Sequence, residues 1–183
     1  RLDDYSASKL TAALPAMRAL TLAPSADALP ALVRLCAGAG VALVLVPALP
    51  GTHVSGVVRW MGGRPLIQLS LLGKASDGFW FSFFHEVGHV LKHRSRAIYL
   101  DDAADGGTAE SPEEQEANRF ATDTLVPRAA QARLASLPLD ADTITSFAAE
   151  IGVHPGIVVG QLQHRGRIGW ADARARLKAR MDF

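Results

Sequence analysis

The sequence predicts an α+β fold. Three observations carry this: a helical segment precedes a cluster of strand segments, a glycine hairpin signal joins two of those strands, and every periodic segment from Gly78 onward reads as helix. Residues 1–20 read as partly helical, interrupted at Pro15. Ser25 to Ala37 reads as a helix with Ser25 as N-cap, Leu29, Leu32, Val33 and Leu35 as its apolar face, and Gly38 and Gly40 as its stop. Val41 to Val46 is continuously apolar and β-branched, the pattern of a buried strand, and Pro47, Pro50 and Gly51 mark a turn after it. Val54 to Trp60 and Arg64 to Leu71 flank Met61-Gly62-Gly63, a hairpin signal. The expectation is one small sheet of roughly three strands, mostly antiparallel.

Gly73 to Gly78 reads as a loop, with Asp77 capping a helix from Gly78 to about His93. That helix is apolar nearly all round, which predicts burial on every side. Residues 101–110 are acidic and glycine-rich and read as a mobile loop. Ser111-Pro112-Glu113-Glu114 opens the next helix with Ser at the N-cap, Pro at N1 and Glu at N3, and Pro127 stops it after Val126. Shorter helices are expected near 128–136, 142–151, 155–165 and 170–180.

Composition narrows the function classes. A hydrophobic share of 49% with 20% charged residues supports a packed core and excludes wholesale disorder. A net charge of +1 gives no global electrostatic reason to bind nucleic acid. The single cysteine, Cys36, excludes an internal disulfide and a cysteine zinc knuckle and fits a reducing cytoplasm. No run reaches the roughly 18 apolar residues of a membrane span, and residues 1–20 do not read as a signal peptide. The chain begins at Arg1, which reads as a fragment or a processed product.

His85-Glu86-Val87-Gly88-His89 is an H-E-x-x-H pentad inside the helix expected to be buried. Residues i and i+4 share a helix face, so both imidazoles can reach one tetrahedral zinc ion. Glu86 then stands where it can take a proton from a water on the metal, the general-base role of metallopeptidases. Charged residues in an apolar helix are costly without partners; the competing reading is a hydrogen-bonded core network. A third ligand is needed. His93 lies about 12 Å along the axis from His85, too far for the same ion, and reads as a helix C-terminal cap. Glu113, Glu114 and Glu116 remain. Glu114 is preferred because its i+3, i+4 and i+7 neighbours Ala117, Asn118 and Ala121 suit close helix packing, with Asn118 able to support a ligand from behind. Glu116, whose neighbours Arg119, Phe120 and Asp123 are more polar, and Glu113 stay as alternatives. Glu114 also reads as the N3 residue of a capping box.

HEVGH followed by EEQEANRFATDTLVP resembles the ImmA/IrrE family of zinc metallopeptidases, at Glu114, Ala117, Asn118, Phe120, Ala121 and Pro127. The segments GVVRW…PLIQLS and FAAEIGVHPGIVVGQLQ are also similar to its members, so the resemblance covers roughly residues 30–168; Thr122-Asp123-Thr124 departs from a more apolar family segment. The resemblance implies a small zincin-like fold with an HExxH helix, a Glu-bearing helix and C-terminal helices. It implies a cytoplasmic bacterial protein that cleaves or regulates a transcriptional repressor in stress or mobile-element control. Many members carry an N-terminal helix-turn-helix domain, so DNA contact is expected only through residues before Arg1. On this reading 1–24 is an N-terminal linker and helix, 25–168 the zinc metallopeptidase domain, and 169–183 a C-terminal helix.

Peptide hydrolysis needs an oxyanion donor besides the metal. Tyr99, His154 and Arg119 are candidates, His154 with an equal reading as a cap before Pro155. Strand 64–71 is able to pair with an extended peptide if it lies at the sheet edge. Residues 147–162 imitate a helix-turn-helix, but their polar readers Gln161, Gln163 and His164 come late in the second helix, against DNA binding. The basic C-terminal residues, Arg165 to Arg180, read as a solvated face. Phe79, Trp80, Phe81, Phe83 and Phe84 read as core rather than as a ligand pocket. The alternative to a peptidase is a zinc-binding sensor or interaction domain of a regulator or antitoxin.

Overall fold

The computed structural model describes residues 3–47, 55–70, 75–93, 99–100 (backbone) and 111–181. The turn at Pro50-Gly51 and the loop 101–110 lie outside the described residues, as do residues 73–74 of the stretch expected as a loop before Gly78.

Gly62 and Gly63 both take positive φ (57° and 81°), as a tight two-residue hairpin turn demands. They join β2 (Gly56–Met61) to β3 (Arg64–Ser70) in the expected antiparallel hairpin, closed by the pair Met61↔Arg64. β1 (Ala42–Val46) then pairs with β3 in parallel, from Ala42↔Leu66 to Val46↔Ser70. A two-residue strand, β4 (Tyr99–Leu100), pairs antiparallel with Val57 and Val58 of β2. The order β1-β3-β2-β4 makes a mixed sheet in which β3 is interior. With neighbours on both sides, β3 has no free edge for a peptide. β1 is an edge strand and only half-buried, with Val44 44% exposed, so its apolar run overstated its burial.

α1 (Ala7–Ala19) is capped by Ser6, whose Oγ accepts from the Lys9 backbone N–H at 3.3 Å. It passes through Pro15 without the expected break. Pro15 and Thr11, the residue whose carbonyl loses its donor, are both exposed, so water can serve that carbonyl. Leu10 and Met17 are fully buried, and Arg18 donates to the carbonyls of Leu125 (3.2 Å) and Ile151. In α2 (Ser25–Gly38) the cap position falls on Pro24, not Ser25, and no side chain caps the helix.

α3 (Ser76–Lys92) is the centre of the molecule. Phe79, Trp80, Phe83, Phe84, Val87 and Val90 are all buried, so its aromatics are core; Phe81 is half-buried and stacks on His164. The helix begins two residues earlier than expected and Asp77 does not cap it. Instead the Ser76 N–H donates to the Ala179 carbonyl at 3.0 Å, Ala75 bridges Arg180, and the Asp77 carboxylate meets Lys178 Nζ at 2.7 Å. These bonds need an extended tail, which is why residues 170–180 form a single 3-10 turn (Ala173–Leu177), begun by the Asp172 cap, in place of the expected helix.

α4 (Pro112–Leu125) starts as expected, with Ser111 Oγ accepting from the Glu114 N–H at 3.2 Å. α5 (Arg128–Ala135), α6 (Ala141–Ile151) and α7 (Pro155–His164) follow close to their expected spans. Asp140 caps α6 and Gly152 ends it at φ 69°. α7 is buried from Gly156 to Gln163, so it presents no face to a DNA groove. Among the described residues no helix is long and apolar enough to cross a membrane.

The Asp77–Lys178 pair makes a prediction. Both side chains are nearly buried (9% and 13% exposed), and Gly160 leaves room for the carboxylate, since a Cβ there would collide with Asp77 Oδ2. Lys178→Met strands a buried charge and should cost about 3 kcal/mol in urea unfolding. Adding Asp77→Asn should recover part of that loss, the signature of a coupled pair.

Candidate metal centre

His85, Glu86 and His89 lie on consecutive turns of α3 and are 4%, 1% and 1% exposed. Desolvation on that scale requires partners, and α4 brings them. A Cβ on Gly88 would stand 3.2 Å from Ala117 Cα and 3.2 Å from Phe120 Cδ1, so the absence of a side chain sets how closely α4 approaches. Ala117 and Ala121, both fully buried, complete the contact stripe on α4. Glu114, one turn before Ala117, is thereby carried to the two histidines.

Glu114 Oε2 lies 3.1 Å from His85 Nε2 and its Oε1 lies 3.3 Å from His89 Nε2; the two Nε2 atoms are 2.9 Å apart. Hydrogen-bond logic then fixes the tautomers. Asn118 Oδ1, an acceptor, is 2.8 Å from His85 Nδ1, so His85 carries its proton there. Glu116 Oε2, also an acceptor, is 3.1 Å from His93 Nε2, which leaves neutral His93 with a bare Nδ1. That atom is 3.2 Å from His89 Nδ1, which must be its donor. Both Nε2 lone pairs and the Glu114 carboxylate therefore converge, three acceptors with no proton among them. Such a set repels itself unless a cation joins it. Tetrahedral bonds of about 2.0–2.1 Å place ligand atoms ~3.3 Å apart, close to the separations seen here. Among the described residues His85, His89 and Glu114 form the group able to hold a metal ion, with ligand atoms within 4.8 Å of one another.

The electrostatics follow. A proton that enters the cluster sits on an imidazole Nε2 and is donated to the Glu114 carboxylate; this outweighs burial and holds the Glu114 carboxyl down to about 2. Burial works to lower the His85 pKa, but the bond and charge of Glu114 and the charge of Glu86 outweigh it and raise it. Glu114 keeps both of its readings: its N–H serves the Ser111 cap while its carboxylate serves the cluster.

Glu86 is seated against β2. A Cβ on Gly56 would collide with Glu86 Oε1 and with Leu69 Cδ2, so Gly56 is the notch that admits the carboxylate. Nothing in the sequence around Gly56 marks this role, because the group it admits is 30 residues away. The remaining candidates stand elsewhere. Glu113 is not in the cluster, and Glu116 meets His93 rather than the ligand atoms. Arg119 is exposed and lines a surface depression with Lys92, Asp123 and Arg128. His154 caps α7, its Nδ1 accepting from the Gly156 N–H at 3.1 Å, and burial lowers its pKa. Tyr99 is placed only as backbone in β4, and its side chain lies outside the described residues.

His89→Ala or Glu114→Ala should abolish binding of one divalent ion per chain, read by elemental analysis, while Glu113→Ala should keep it. Metal affinity should fall as the pH drops through the raised pKa of His85, which takes up a proton there; Glu114 should add no step until pH nears 2. No curated protein matches the chain. The family model of the IrrE N-terminal-like domain, a peptidase family, matches residues 43–163 and so spans the sheet, α3, α4 and most of α7. The chain belongs to that family.

Proposed function

We propose that this chain is a zinc metallopeptidase domain that hydrolyses a peptide bond in a protein substrate. The observation that carries the reading is the convergence of two bare imidazole nitrogens and one carboxylate beside a second, buried carboxylate. Two His and one Glu are the donor set of catalytic zinc sites, which leave a fourth position for water or substrate. Bound there, zinc supplies carbonyl polarisation and a water whose pKa falls to about 7.

The chain's own residues supply the rest. His85 and His89 present Nε2, held in that tautomer by Asn118 and His93. Glu86 takes a proton from the attacking water and returns it to the leaving amine. Gly56 keeps the Glu86 carboxylate in place by offering no side chain to displace it. The resemblance to ImmA/IrrE proteins supports a transcriptional repressor as substrate, a cytoplasmic setting, and a part in stress or mobile-element regulation. DNA contact on this reading belongs to a helix-turn-helix outside this sequence.

Peptides from a bacterial proteome digest, with cleavage read by mass spectrometry, test the reading. The zinc-loaded chain should cut, and Glu86→Gln should bind zinc equally while losing at least about 100-fold in rate. Gly56→Val should likewise keep zinc and lose cleavage. Regulation unchanged by Glu86→Gln in cells would favour a zinc-dependent sensor or interaction domain instead.

A further inference from the structure

We infer that His93 and Glu116 form a relay that positions His89 and sets its strength as a ligand, an inference that rests on the metal-binding reading above. Neither residue is within the ligand cluster. His93 lies one turn beyond His89 and ends α3; its N–H closes the last turn on the His89 carbonyl at 2.9 Å. At that point the backbone leaves helical geometry (φ −119°, ψ 80°), and the two rings stand 5.3 Å apart between centroids.

The hydrogen-bond polarity runs one way. Glu116 accepts from His93 Nε2–H, and His93 Nδ1 accepts from His89 Nδ1–H. A carboxylate charge is thus transmitted through one imidazole to the back of a second. An imidazole whose rear N–H is pulled toward an acceptor is a better donor at its other nitrogen and loses rotational freedom about χ2. The relay is asymmetric between the two ligands. His85 is backed by a neutral amide oxygen, Asn118 Oδ1 at 2.8 Å, whereas His89 is backed by an ionisable pair. The His93 side chain is 11% exposed and Glu116 49%, so the far end of the relay meets solvent.

Zinc affinity of the whole chain, measured by competition with a chromophoric chelator, tests this. His93→Phe keeps a ring without an acceptor and should weaken zinc binding about 10–100-fold. His93→Gln offers a carbonyl oxygen to His89 and an N–H2 to Glu116, and should recover most of that loss. Glu116→Ala should weaken binding by a smaller factor, with the visible spectrum of the cobalt-substituted protein keeping its four-coordinate form, since no ligand is removed. Should His93→Phe not fold, Glu116→Ala carries the test alone, being half exposed. Wild-type affinity in both His93→Phe and Glu116→Ala, or in Glu116→Ala alone where His93→Phe fails to fold, overturns the relay. So does equal loss in His93→Phe and His93→Gln. Failure of the unaltered chain to bind zinc at all would instead overturn the metal reading.

Discussion

Three ionisable side chains on neighbouring turns of a buried helix set the terms for everything around them. Apolar surroundings make unpaired charge and unpaired imidazole expensive, and beyond its first turn the rest of α3 is mostly apolar. Each of the three is answered by a different element. α4 delivers Glu114 and Asn118, β2 opens at Gly56 for Glu86, and His93, the C-cap of α3, turns back toward His89. The close contact at Gly88 and Ala117 makes the first of these answers geometrically possible.

Helix electrostatics reinforce the arrangement. Glu114 sits in the first turn of α4, where unpaired N–H groups favour an ionised carboxylate. His89 lies in the last turn of α3 and His93 at its C-cap, where carbonyl groups favour donors and cations. The positive end of one helix and the negative end of the other therefore meet at the cluster. Ser111 contributes by capping α4 through the Glu114 N–H, which leaves the carboxylate to turn inward. A capping position and a place in the cluster are compatible because they use different atoms of one residue.

Much of the site was legible because its signals are local. The i, i+4 spacing of His85 and His89, the Ser111-Pro112 helix start and the small stripe Ala117–Ala121 each follow from a few adjacent residues, and together they point to Glu114. The Gly62-Gly63 turn was legible for the same reason. What escaped depends on contacts between distant segments. Nothing near Ser76 announces that its N–H is met by Ala179, so by sequence Asp77 reads as a cap, whereas it faces Lys178. The parallel pairing of β1 depends on β3 inserting between β1 and β2, which apolar content does not encode. Pro15 reads as a break in the sequence because exposure of the freed carbonyl is a tertiary property. The position of His93 at the helix terminus follows from the local sequence, but its ring contacts depend on the fold.

The bridge between Ala75 and Arg180 closes α4 to α7 into a loop that leaves α3 at one end and returns to it at the other. The first turn of the helix that carries the pentad is thus completed by nearly the last residues described. On a ribosome, chain emerges in order, and long-range contacts wait for their partners. The strands and the pentad can be present and partly assembled while the start of α3 still lacks its acceptor and Asp77 its cation. Until about residue 180 has emerged, the helix bearing both imidazoles remains free to fray from its N-terminal end, so its finished geometry waits on a segment about 90 residues beyond the pentad.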